Sequence, residues 1–251
     1  MSEKASSAQL KPQTLSGFET YIREAEAVME AARRDSPFVQ CDTSSQTARQ
    51  VPAGEFVAHF FSGSRPFKVP GGLIHDWIGT GLIRGATIEK TLALVQDYDH
   101  HKNIYQPEVI ASKLVRQRGN DFQIYLRLLK KKILTVVLDT DHEVLYRCVD
   151  PTRWTCWSRT TRVAEVENAG TSAEKVLPPD TGYGFLWRLN SYWQFVERDS
   201  GVYLECRAIS LTRDVPLGMG WIIEPIIQRL PKESLIHTLE CTRLALQTRQ
   251  K

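Results

Sequence analysis

The sequence predicts an α+β domain in which a curved antiparallel sheet of about seven strands is closed by a long C-terminal helix, with a helical extension ahead of it. Two observations carry this. From Tyr183 to Phe195, and again from Val202 to Arg213, polar and apolar residues alternate at strand period, and the chain then passes directly into helical spacing. Between Pro107 and Pro216 nearly every run reads as strand, punctuated by turn pairs such as Gly119-Asn120 and Ser200-Gly201. A sheet closed by one helix encloses space, and such pockets are mostly apolar with a small set of placed polar groups.

The elements follow in order. Residues 1–50 form the extension and linker, and residues 51–251 the main domain. Ser16-Gly17-Phe18-Glu19 has the form of a capping box. The helix after it carries Phe18, Tyr21, Ile22, Ala25, Val28, Met29 and Ala32 on one stripe and ends at Arg33, Arg34 and Pro37. That stripe requires a docking surface. Residues 40–50 lack periodicity and read as linker. Leu73 to Ile83 is a strand in which Gly79 and Gly81 mark a bulge. Thr87 caps a helix with Ile88, Leu92, Val95 and Tyr98 on one side, which stops by Pro107. Strands follow near 108–117, 121–129, 133–148, 153–166, 183–198 and 202–213. The tail is helical in two pieces: Trp221 to Arg229, then a helix opened by Pro231 with Leu235, Leu239, Thr242 and Leu246 as its apolar stripe.

Composition excludes several classes. At 251 residues and 42% hydrophobic, the chain can bury one full core. A net charge of +3 is too small to imply nucleic acid without a concentrated patch. No apolar run reaches the length of a membrane span, and Met1-Ser2-Glu3-Lys4 opens no signal sequence, so a soluble cytoplasmic protein is expected. Five cysteines without a C-x-x-C pair read as small buried residues in a reducing compartment.

Candidate chemistry is sparse. Asp97, Asp99, His100 and His101 are the densest potential metal ligands, but adjacent histidines on a helix end point apart, and neither a metal nor a cofactor is expected. Gly79 to Gly85 misses the spacing of a dinucleotide loop, and no G-x-S-x-G, P-loop or H-E-x-x-H occurs. Lys130, Lys131 and Lys132 with Arg127 read as a solvated hairpin. What remains is a set of polar groups on apolar strands: His75 beside Trp77, then Arg188, Asn190 and Tyr192, and Glu205 beside Arg207. Either these face a ligand or they form the outer surface with cross-strand ion pairs. Trp187 and Trp193 share a strand face with Phe185 and Leu189, so both indoles are expected to face the C-terminal helix, as core or as pocket lining. The ligand-binding set is therefore His75, Trp77, Trp187, Asn190, Tyr192, Trp193, Glu205 and Arg207.

The order of one strand, a helical connection, successive antiparallel strands and a closing helix resembles the helix-grip fold of the START-like (SRPBCC) superfamily. The residues that carry the resemblance are Gly85-Ala86-Thr87-Ile88, Val95-Gln96-Asp97-Tyr98-Asp99, Tyr105-Gln106-Pro107, Gly201-Val202-Tyr203-Leu204-Glu205-Cys206, and the closing Gly220-Trp221-Ile222-Ile223-Glu224-Pro225 to Leu230-Pro231-Lys232-Glu233-Ser234-Leu235. It covers residues 70–250 and leaves the N-terminal helix aside. The resemblance implies an apolar cavity between sheet and helix, used in different members for lipid carriage, sensing or cyclisation. The expected function is binding of a hydrophobic or aromatic small molecule. The alternatives are a metal-free cyclase or aromatase using one pocket acid or base, and a protein-interaction module with a collapsed cavity.

Overall fold

The computed structural model describes residues 8–35, 50–51, 53–61, 63, 66–131, 135–214 and 220–248. The expected linker at 40–50 lies almost wholly outside them. The elements are β1 (Ala8–Gln9), α1 (Pro12–Asp35), β2 (Val57–Phe60), β3 (Phe67–Val69), β4 (Gly72–Arg84), α2 (Ile88–Val95), a 3-10 turn (Tyr98–His100), α3 (His101–Ile104), β5 (Val109–Arg118), β6 (Asp121–Lys131), β7 (Thr135–Asp150), β8 (Arg153–Glu167), β9 (Lys175–Val176), β10 (Thr181–Gly182), β11 (Arg188–Arg198), β12 (Gly201–Arg213) and α4 (Gly220–Thr248).

The main sheet is antiparallel in the order β2-β4-β12-β11-β8-β7-β6-β5, with β3 added beside β4. The seven long strands are those expected. The short β2 and β3 escaped the sequence reading because three or four residues do not establish a period.

Alternation along the strands gives the sheet two covered faces. The inner face meets α4 through Leu235, Leu239 and Leu246, all buried, and Thr242 at 0% exposure completes the expected stripe. The α4 helix is continuous through Pro231, where two pieces were expected. Gly79 and Gly81 do not make a bulge, since β4 pairs with β12 in unbroken register from Gly72 to Arg84. They are small because other groups lie on them: a Cβ on Gly79 would come within 2.9 Å of Leu235, and one on Gly81 within 1.7 Å of the Phe56 ring.

The outer face carries a second cluster, in which Phe18 and Ala25 of α1 pack on Ile74, Ile209, Leu211 and Trp187. The helix begins at Pro12, a residue suited to a first turn, so Ser16 lies inside it and is no capping box. Thr14 donates to the Pro70 carbonyl at 2.6 Å, and Tyr21 donates to Asp76 at 2.8 Å. Docking fades toward the far end, where Val28 is 54% exposed. Deleting residues 1–36 should lower the melting temperature and promote aggregation, because it uncovers Ile74, Ile209 and Leu211. Thermal melts with light scattering check this, and an unchanged, monomeric remainder would contradict it.

Candidate functional site

Strand register places three rows of side chains across the inner face. The first runs His75, Ser210, Leu189, Thr160, His142; the Leu189 amide donates to Thr160 Oγ1 at 3.0 Å. The second runs Trp77, Ala208, Ser191, Ser158, Val144. The third runs Gly79, Cys206, Trp193, Cys156, Tyr146, and Leu235 and Leu239 of α4 lie on its Gly79 end.

Beyond the third row the space is filled by rings. Trp193 stacks on Phe195 at 6.1 Å, Phe195 on Tyr146 at 6.4 Å, and Phe122 meets Tyr146 edge-on at 5.6 Å. Tyr98 and Tyr146 share a hydroxyl–hydroxyl bond of 3.0 Å. Burial raises both phenols well above their ordinary range. The first two rows differ. They are built largely from Ser, Thr, His and Ala, and Ser158, Leu189, Ser191 and Ala208, with Trp193 of the third row, are only half-buried although they sit on the central strands β8, β11 and β12.

His75 is fully buried, and its Nε2 lies 3.0 Å from Thr212 Oγ1. Neither its Nδ1 nor the indole Nε1 of Trp77 has a hydrogen-bond partner among the described residues. The Trp77 ring lies tilted at 32° against Phe60, with centroids 4.0 Å apart. His142 Nε2 lies 2.9 Å from Thr140 Oγ1 and its Nδ1 3.4 Å from Ser158 Oγ.

Burial lowers His75, His101 and His142 to about 4 each, against 6.5 when free. The unfolded chain then binds more protons than the folded one between about pH 4 and 6.5, so this contribution to stability is complete above that window and falls as pH drops through it. Melting temperatures should be flat above pH 7 and decline from pH 6.5 to 5. The slope should be shallower in His142→Gln, and an identical slope in that variant would contradict the assignment.

The sequence-predicted residues separate by face. His75, Trp77 and Trp193 lie on the inner face, while Asn190, Tyr192, Glu205 and Arg207 lie on the outer one. Trp187 also joins the outer cluster, correcting the expected orientation. It precedes the first residue of β11, and the segment before it is bent by the buried Glu165 carboxylate, which accepts the amides of Tyr183, Gly184 and Phe185. Strand alternation therefore does not extend back to Trp187.

The outer polar groups are tied into packing. Arg207 makes a two-point ion pair with Asp76 and lies 3.5 Å over the Phe61 ring. Glu205 accepts from Thr80 and Gln194. Asn190 and Tyr192 line a groove of about 380 Å³ with Glu26, Met29, Arg147 and Trp157, in which Tyr192 donates to Glu26 at 2.8 Å.

Within the basic run Lys130 is not solvated, Lys131 is exposed, and Lys132 lies outside the described residues. Lys130 pairs with Glu108 and donates to Ser234 of α4 at 2.6 Å, and Arg127 is held by Asp139 and Glu174. At the other helix end His100 pairs outward with Asp97, while His101 turns inward to the Val95 carbonyl. The sequence reading passed over Thr140, His142, Ser158, Thr160, Ser191 and Ser210. The available signal was the i, i+2 spacing of Thr140 and His142 on β7 and of Ser158 and Thr160 on β8.

No protein-family model matches the sequence, and neither does any curated protein. Solved structures do. The STAR-related lipid transfer protein from Xanthomonas axonopodis is 18% identical over 73% of this chain and 98% of its own, with a TM-score of 0.47. The Zhui aromatase/cyclase from Streptomyces sp. R1128 is 10% identical over 71% and 96%, with a TM-score of 0.48. A START superfamily protein from Mycobacterium smegmatis is 9% identical over 70% and 97%, with a TM-score of 0.43. In fold, the chain is a helix-grip: a curved antiparallel sheet with a long closing C-terminal helix. That statement rests on its own strand order and closing helix. Among the described residues no helix is long and apolar enough to cross a membrane.

Proposed function

We propose that the protein binds an apolar small molecule, lipid-like or aromatic, between α4 and the first two inner-face rows. One observation carries the reading. Ser158, Leu189, Ser191, Trp193 and Ala208 belong to central strands with neighbours on both sides, on the face that α4 covers at β4 and β12, and yet are half-buried. Interiors pack as densely as organic crystals, so an inner face left partly uncovered beside a packed helix supports the reading that a ligand completes it. The lining suits such a ligand: Trp77, Trp193, Leu189 and Ala208 supply apolar surface, and a few hydroxyls and imidazoles supply placed polar groups.

On this reading the protein acts by binding, and the ligand leaves chemically unchanged. Titration with the neutral fluorophore N-phenyl-1-naphthylamine should give saturable one-to-one binding with quenching of Trp193 emission. Mass spectrometry of organic extracts of the purified protein should return an apolar molecule. A linear, non-saturating titration together with extracts lacking any such molecule would overturn the reading in favour of a collapsed core.

A further inference from the structure

We infer that the inner site recognises a hydroxyl group: His75 Nδ1 accepts from it, and Trp77 Nε1–H donates to it. The inference rests on the inner-face binding just proposed and names the class of ligand. It starts from two polar atoms that are deeply buried and unpartnered among the described residues, on side chains 0% and 6% exposed. Buried polar groups are ordinarily hydrogen-bonded, because one left without a partner carries its full desolvation penalty. Two such atoms, two residues apart on one face of β4, point to a shared partner.

The local bonds decide what each atom offers. Thr212 Oγ1 lies 3.3 Å from the Arg213 carbonyl as well as 3.0 Å from His75 Nε2, and with its proton directed to that carbonyl it accepts from His75. In that arrangement the proton of a neutral His75 sits on Nε2, and Nδ1 presents a bare lone pair. Indole nitrogen is a donor only. The couple is thus one acceptor beside one donor, and its complement must donate and accept at once.

A hydroxyl does both. A ketone or ester carbonyl satisfies Trp77 and leaves His75 facing an oxygen. A carboxylate does the same and adds charge beside the lone pair. The ammonium of Lys232 stands 6.0 Å from the Trp77 ring centroid and is exposed, so it remains hydrated. Residues i and i+2 of a strand are separated by about 6.6 Å at 3.3 Å per residue, and one oxygen with bonds of about 2.9 Å to either side spans most of that distance.

The test compares 2-naphthol, naphthalene and 2-naphthoate by calorimetric titration of the full chain. Binding of 2-naphthol should be at least about tenfold tighter than that of either analogue, the scale of one lost buried bond. Trp77→Phe keeps the ring against Phe60 and removes the donor, and it should erase most of the preference while the protein melts as a folded domain. A crystal structure of the complex should place the naphthol oxygen within hydrogen-bond distance of both atoms.

Equal affinities for the three probes, a carboxylate preference, or a hydroxyl preference unchanged in Trp77→Phe would overturn the inference and leave the cavity reading standing. So would a water bridging the two atoms with the naphthol ring elsewhere. Binding of none of the three would overturn both.

Discussion

Asp76→Ala should destabilise the fold by about 3–5 kcal/mol, the range for removing one partner of a buried ion pair. Asp76 and Arg207 are each 5% exposed, and they meet through two bonds of 3.0 and 2.6 Å. Tyr21 of α1 donates to the same carboxylate, and Phe61 covers the guanidinium. Without Asp76 the arginine charge stays buried beneath α1 with its main counter-charge gone, and Tyr21 loses this hydrogen bond. The loss should therefore appear in two places: the unfolding midpoint in urea, and earlier hydrogen exchange in α1. The double variant Asp76→Leu, Arg207→Met should recover most of the stability, since apolar residues of similar volume replace such pairs at little cost. A single variant that melts within about 0.5 kcal/mol of the parent, as surface changes do, would show that the pair is not buried in solution.

Phe195→Ala should cost a comparable amount, about 3–5 kcal/mol, through lost burial and the cavity left behind. Phe195 is 1% exposed and stands between Tyr146 and Trp193 in the ring series that fills the inner face beyond the third row. No neighbouring backbone can move in to fill the gap, because β11 is hydrogen-bonded on both sides, to β8 and β12. Calorimetric melts would check this. A change below about 1 kcal/mol would mean that the ring series, too, borders open space.

Most of the fold was legible in the sequence, and the reasons are local. The strands β4, β5, β6, β7, β8, β11 and β12 each run ten residues or more, long enough for alternation to register. Leu235, Leu239, Thr242 and Leu246 repeat at helical spacing and are the buried residues among the described side chains of α4. The errors were made by contacts distant in sequence. Trp187 left its expected face because Glu165 captures the amides of residues 183–185 and Gly184 takes a φ of 77°, a conformation open to glycine. Gly79 and Gly81 read as a bulge because nothing local announces that Leu235 and Phe56 will rest on them. Lys130 read as solvated because Glu108 and Ser234 reach it only in the folded chain.

The candidate site was less legible than the fold. Asn190, Tyr192, Glu205 and Arg207 were chosen for being polar on apolar strands, but alternation separates two faces without saying which one α4 covers. His75 and Trp77 both lie on the face that does meet the helix. The hydroxyls at Thr140, Ser158, Thr160, Ser191 and Ser210 were passed over because single Ser and Thr residues are common on any strand. They come together on one face only when β7, β8, β11 and β12 are set side by side.

Ala208→Phe tests most directly whether the inner face is hollow. Ala208 lies in the second row beside Trp77 and Ser191, half-buried where the proposed ligand would rest. If there is unfilled space above it, the new ring enters that space: the melting temperature should hold or rise, and uptake of N-phenyl-1-naphthylamine should fall at least tenfold relative to the parent chain. If the core is solid, the ring overpacks it at a cost of about 1–3 kcal/mol, and the parent itself shows no saturable uptake, which would contradict the account.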